Sequence, residues 1–154
     1  MKRVAGYVSG GTPVAWSPDG TSIAFTSGTA LWLMRADGSG RRKVHGDPNR
    51  QTRSPAWSPD GTKIAWEHGD GDLEIYVANR DGTGVRNLTD NEVVQDSLPT
   101  WTPDGRSLVF RRTCWSWRNS RSAHLVVNAD GGEPSKLPAL PRLHPSSSDP
   151  VWKP

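Results

Sequence analysis

The chain has 154 residues, a formal net charge of +3, 33% hydrophobic residues and one Cys, so it is at most one ordinary domain in length, with no internal disulfide and no cysteine-based zinc site. No apolar run approaches the ~18 residues of a membrane-spanning helix, and Met1-Lys2-Arg3 is followed by no apolar signal region, so a complete chain is expected in the cytoplasm, off the membrane. Sixteen Gly and thirteen Pro argue against a helical bundle, and with only 27 Leu, Ile, Val and Phe residues the eight Trp must supply much of any core, at roughly 150–250 Å² each.

In chain order the first feature is Pro13-Val14-Ala15-Trp16-Ser17-Pro18-Asp19-Gly20. Pro presets φ, Asp bonds the nearby backbone and Gly accepts a positive φ, so Pro-Asp-Gly between alternating segments predicts a hairpin turn. Ile23-Ala24-Phe25 follows it, then a second apolar segment over Leu31–Met34, a second turn at Asp37-Gly38 and a short strand ending near Val44. The same order returns from Pro55-Ala56-Trp57-Ser58-Pro59-Asp60-Gly61 through Ile64-Ala65-Trp66, Leu73–Val77 and Asp81-Gly82 to Leu88. A third copy runs from Pro99-Thr100-Trp101-Thr102-Pro103-Asp104-Gly105 through Leu108-Val109-Phe110, Leu125–Val127 and Asp130-Gly131 to Leu137. Pro150-Val151-Trp152 opens a fourth, at Trp-to-Trp steps of 41, 44 and 51 residues. Each period therefore predicts four antiparallel strands, the size and strand count of a β-propeller blade. The expected fold is all-β: three blades at about 13–44, 55–89 and 99–138, a trailing strand over 150–154, and hence an incomplete propeller. Asp19, Gly20, Asp60, Gly61, Asp104 and Gly105 are read as structural turn residues, because they repeat with the turn.

The Pro-x-Trp-Ser-Pro-Asp-Gly-x-x-Ile-Ala-Phe pattern, with Leu-x-Ile-Tyr-Val and Asp-Gly behind it, resembles the WD-repeat-like propeller repeat of the TolB family, most closely over Pro55–Thr89. The resemblance implies a bacterial propeller scaffold, with an extracytoplasmic or periplasmic location if the chain is a piece of an exported protein. Such repeats also occur in the non-catalytic propellers of prolyl-oligopeptidase-like and tricorn-like peptidases, so the alternative is the propeller part of a larger hydrolase, or a truncated fragment without activity of its own. Closed propellers need about 4–8 blades, which points to the remainder of a longer propeller or to a head-to-tail homodimer of two three-blade chains.

Antiparallel connectivity separates two edges. One carries only the tight Asp-Gly turns. The other carries the loops of variable length, expected at 26–30, 67–72 and 111–123 within the blades and at about 45–54, 90–98 and 139–149 between them. Binding residues on a rigid scaffold concentrate on such loops, so the loop edge is the expected functional face. Its candidate partner-binding residues are Arg50 and Arg53 on the first crossover and Arg111, Arg112, Trp115, Trp117, Arg118 and Arg121 in the Arg/Trp-rich segment, the residue types most enriched in protein-binding hot spots. A protein or peptide is the expected partner, with nucleic acid disfavoured. From Asp60 to Asp104 ten acids face only Lys63, Arg80 and Arg86, so an acidic middle blade sits between basic neighbours. The sequence contains no Gly-x-Ser-x-Gly, His-Glu-x-x-His or P-loop pattern, and neither the four His nor Asp70-Gly71-Asp72-Leu73-Glu74 has a ligand spacing. The expectation is a non-catalytic module without cofactor or metal.

Overall fold

The computed structural model describes residues 14–91, 93–115 and 120–137. They form three four-stranded antiparallel sheets, each a meander in chain order. The first blade contains β1 (Val14–Trp16), β2 (Ser22–Ser27), β3 (Ala30–Arg35) and β4 (Arg42–Gly46). The second contains β5 (Gln51–Trp57), β6 (Lys63–Gly69), β7 (Glu74–Asn79) and β8 (Arg86–Asn87). The third contains β9 (Gln95–Trp101), β10 (Ser107–Cys114), β11 (Arg121–Asn128) and β12 (Ser135–Lys136).

The turns form as their residue types dictate. Gly20, Gly61 and Gly105 have φ of 67°, 69° and 67°, and each donates its N–H to the carbonyl three residues back, at Ser17, Ser58 and Thr102. Within the turn the Ser17, Ser58 and Thr102 hydroxyls donate to Asp19, Asp60 and Asp104, each at 2.6 Å. Those carboxylates also accept the backbone N–H of Thr21, Thr62 and Arg106. The hydrogen bonds hold the Asp carboxyls below their usual range, most strongly at Asp19, where Arg80 is the largest cause.

Two cores fill the two junctions. Ala24, Leu31 and Leu33 of the first blade pack with Trp57, Ile64, Trp66 and Ala78 of the second. Ala65, Ile75, Val77 and Leu88 pack with Trp101, Leu108, Phe110, Leu125 and Val127 of the third. The Trp of each Pro-x-Trp element carries the junction: Trp57 Nε1 donates to the Ala15 carbonyl and Trp101 Nε1 to the Ala56 carbonyl, both at 3.0 Å. At these two Trp an apolar ring and its one donor are satisfied together, which is how a Leu-poor chain fills an interface. Trp16, at the same position of the first blade, is 53% exposed.

The loops are shorter than the sequence expectation: strand pairing takes in Thr26, Ser27 and Ala30 of the expected 26–30 loop and Glu67 to Gly69 of the expected 67–72 loop. The first strands of blades two and three begin at Gln51 and Gln95, inside the expected crossovers. Register shifts at Arg53/Ala56 and Val109/Arg111, with Ser54 and Leu98 at φ of 50° and 58°, absorb residues that would otherwise break the ladder, as bulges do. The expected loop over 111–123 is corrected: Arg111 to Cys114 pair residue by residue with His124 to Arg121, so the hairpin extends well beyond the alternating apolar pattern.

Candidate functional site

Arg42 of β4 donates to the carbonyls of Arg80 and Asp81 in the next blade. Arg86 of β8 repeats this toward Ala129 and Asp130. Arg80 reaches back to Asp19 at 2.7 Å and Lys63 reaches forward to Asp130 at 2.7 Å. All three cations of the acidic segment, Lys63, Arg80 and Arg86, are therefore engaged at the turn edge, across the junctions. Of the acids on the other edge, Asp96 is paired with Arg112, while Asp70, Asp72 and Asp90 lie with Arg50 along one cleft.

The loop edge holds a cleft of about 490 Å³ beside the second blade. Exposed Asp70, Asp72 and Asp90 line it together with Arg50, and buried Glu74 and half-buried Tyr76 contribute to its wall. Glu74 accepts from the Thr89 hydroxyl at 2.5 Å and from the Asn91 backbone and side-chain N–H groups at 3.2 and 3.1 Å. Burial nevertheless pushes its pKa up to about 7, with Asp96 adding to the rise. Asn91 Nδ2 also donates to Asp96 at 3.1 Å, joining the cleft to the buried Arg112–Asp96 pair.

Next to the cleft, in the first junction, His45 and His68 meet edge-on at 4.6 Å between ring centroids, and Tyr76 stacks on His45 at 5.2 Å. The Thr52 hydroxyl donates to the Thr29 carbonyl, so at its 2.9 Å contact with His68 Nδ1 it is the acceptor and the proton is on Nδ1. Burial, then His45, lowers the His68 pKa to about 4. These rings pack on one another as core. Among the described residues no group of three or more His, Cys, Asp or Glu side chains is arranged to hold a metal ion, and no helix is long and apolar enough to cross a membrane.

The predicted binding residues do not form one patch. Arg112 lies in β10 and donates through Nε and Nη2 to both oxygens of Asp96 at 2.8 and 2.7 Å. Asp96 is 0% exposed, so Arg112 neutralises a buried carboxylate within the third blade. Arg111 and Arg121 are exposed on β10 and β11, and Trp115, just past β10, is 69% exposed. Arg50 is exposed on the first crossover, 3.8 Å from Asp47, and Arg53 is exposed on β5, opposite Glu67. Trp117 and Arg118 lie outside the described residues. Sequence reasoning did not single out Asp70, Asp72, Asp90 and Tyr76 as one cleft; the acidic excess of the segment was the signal pointing to them. A larger cleft of about 790 Å³ lies at the turn edge of the first junction. Its Arg42 and Arg80 are already bonded to backbone and to Asp19, which makes it part of the junction.

Residues 11–151 match the sequence pattern of the TolB beta propeller domain. The chain belongs to that family. It is 57% identical over 37 residues to the Tol-Pal system protein TolB of Anaeromyxobacter dehalogenans (strain 2CP-C), a stretch that covers 21% of this chain and 8% of that protein. In fold it is similar to a putative TolB from Agrobacterium tumefaciens, with a TM-score of 0.65 and 23% identity over 80% of this chain and 48% of the other. TolB from Acinetobacter baumannii gives 0.61 and 22%, over 82% and 32%. The tricorn protease gives 0.60 and 13%, over 75% and 13%. The TolB-like chain thus spans less than half the length of each of these proteins, and at such identities the structural likeness is one of fold.

Proposed function

We propose that this TolB-like propeller array is a non-catalytic scaffold that binds a protein or peptide through its loop edge. The observation that carries the reading is the division between the edges. At the turn edge the Asp carboxylates and the cations Arg42, Lys63, Arg80 and Arg86 are engaged in turns and junctions. The loop edge presents the acidic cleft of Asp70, Asp72 and Asp90, and beyond it exposed Arg111, Trp115 and Arg121. An acidic concavity beside a basic, Trp-bearing hairpin fits a partner of mixed charge. Trp117 and Arg118 join that surface in the proposal, as do Arg50 and Arg53. Arg112 acts by fixing the hairpin through Asp96. As part of an exported TolB-like protein the chain would act outside the cytoplasm.

A selection of displayed peptides on the purified protein tests this. Selected peptides should lose most of their affinity for Trp115→Ala and Arg121→Ala, and for Asp70→Asn with Asp72→Asn, while the unfolding midpoints stay unchanged. Peptides that bind these variants as well as wild type, but lose Arg80→Ala, would move the function to the turn edge.

A further inference from the structure

The loop-edge cleft of about 490 Å³ forms where three stretches of chain converge, at Asn49 and Arg50, from Asp70 to Tyr76, and from Asn87 to Asn91. Its charge is one-sided. Asp70, Asp72, Glu74 and Asp90 stand against one guanidinium, that of Arg50, which is drawn toward Asp47 at 3.8 Å. None of the ion pairs among the described residues involves Asp70, Asp72 or Asp90.

Exposed acids alone are ordinary solvated surface; two further observations point to a bound cation. The first is Glu74. Asn91 Nδ2 donates to both Glu74 and Asp96 at 3.1 Å, which joins the two buried carboxyls in one network. Asp96 has a cation of its own, because Arg112 bonds both its oxygens. Glu74, only 5% exposed, has neutral donors alone, from Thr89 and Asn91. A buried carboxylate needs a charged partner to remain an ion at little cost. Asp96 finds that partner within its blade, whereas Glu74 lines the open cleft without one. The second observation is Tyr76. Its half-buried ring is backed by His45 at 5.2 Å, and its hydroxyl makes no hydrogen bond among the described residues. Burial raises the pKa of that hydroxyl, Arg50 opposes the rise, and Glu74 and Asp90 add to it, so ring and carboxyls share one field.

Resting on the reading that the loop edge binds a peptide, we propose that this cleft is the pocket for an arginine side chain of that peptide, its guanidinium held by Asp70, Asp72 and Asp90 beside Glu74 and Tyr76. A guanidinium fits better than an ammonium. Its planar fork bonds several oxygens at once, it stacks on aromatic rings, and its weaker hydration makes entry into a half-closed cleft less costly. A bare metal ion fits worse, since these acids are not arranged as a ligand set among the described residues. The bound cation also supplies the charge that Glu74 lacks, so binding favours its ionised form. His68, opposite Glu74 on β6, does not compete near neutral pH, because burial and then His45 lower its pKa to about 4. Asp96 and Arg112 act on Glu74 in opposite senses from the third blade.

The test titrates acetyl-Gly-Arg-Gly-amide, and the same tripeptide with Lys, into the 154-residue protein, followed by the Tyr76 ring and Asn91 amide resonances. The Arg peptide should move both and bind at least about fivefold more tightly than the Lys peptide. Asp70→Asn with Asp72→Asn should weaken it about fivefold or more. Its affinity should rise from pH 6 to pH 8 in wild type and stay level in Glu74→Gln. Resonances that do not move, Arg and Lys peptides that bind alike, an affinity indifferent to the Asp70 and Asp72 changes, or a wild-type affinity flat with pH each overturn the proposal. Calcium that moves the same resonances and displaces the Arg peptide assigns the cleft to a metal and overturns it equally. The two readings fail separately: displayed peptides that bind the loop edge while the Arg tripeptide leaves the cleft untouched would keep the scaffold and remove the pocket. An Arg tripeptide seated in the cleft, with displayed peptides sensitive only to Arg80→Ala, would do the reverse.

Discussion

Glu74→Gln should make the stability difference from wild type depend on pH, with a sign fixed by burial. Glu74 is 5% exposed, and burial outweighs its three hydrogen-bond donors, moving its pKa from 4.5 to about 7. A carboxyl with a raised folded pKa binds protons more tightly when folded. The stability linked to it is fully present below about pH 4.5 and is lost as pH rises through about 7. The interval between the two values corresponds to roughly 3 kcal/mol. Gln at this position does not titrate, and its amide turns a donor toward Thr89 or Asn91 at a pH-independent cost of about 1–2 kcal/mol. His68 acts oppositely, because its folded pKa of about 4 means that its contribution is present above its ordinary value and is lost as pH falls through the folded one. That contribution is common to both proteins and cancels in the difference. Urea unfolding of wild type and Glu74→Gln between pH 5 and 8, with equal m-values, should show the wild-type advantage falling by roughly 2–3 kcal/mol as pH rises. A difference that stays constant across that range would refute the assignment of Glu74 as a carboxyl kept protonated by burial.

Gly61→Val should destabilise by more than about 1 kcal/mol through its positive φ alone, since a Cβ there would meet only Pro18 and Arg80 at ordinary contact distances; Gly61→Asn should cost less, as compared by thermal unfolding. Arg112→Leu should cost about 3–5 kcal/mol by leaving Asp96 buried and uncompensated, whereas Arg111→Ala should stay within about 0.5 kcal/mol, both read by urea unfolding. Trp57→Phe and Trp101→Phe should each lower the unfolding midpoint by orphaning a junction carbonyl, at about 1–3 kcal/mol.

What was legible in the sequence was local. Pro-Asp-Gly, Asp-Gly and the alternating runs each act within a few residues, so turn, strand order and blade period could be read directly. The extended hairpin of β10 and β11 was hidden, because Arg111, Arg112, Thr113 and Cys114 lack apolar alternation and are held by backbone pairing to β11. Arg112 could not be told from its neighbours, since its partner Asp96 lies 16 residues away on an adjacent strand. Trp16, Trp57 and Trp101 look equivalent in sequence, yet only the last two have a preceding blade among the described residues to receive the indole. The loop-edge cleft was visible only as a charge imbalance, because the crossover at Asn49 and Arg50, the turn at Asp70–Asp72 and the chain at Asp90 converge through the fold.

At the turn edge side chains of neighbouring blades are bonded across the junctions, and the loop edge is the proposed contact for the partner. Amide hydrogen exchange of the protein, alone and saturated with a selected peptide, tests this most directly. Added protection is expected at Arg50, Asp70–Asp72, Asp90 and Arg111–Arg121, with the turns at Asp19, Asp60, Asp81 and Asp104 unchanged. Protection confined to those turns, with the loop edge unaffected, would contradict it.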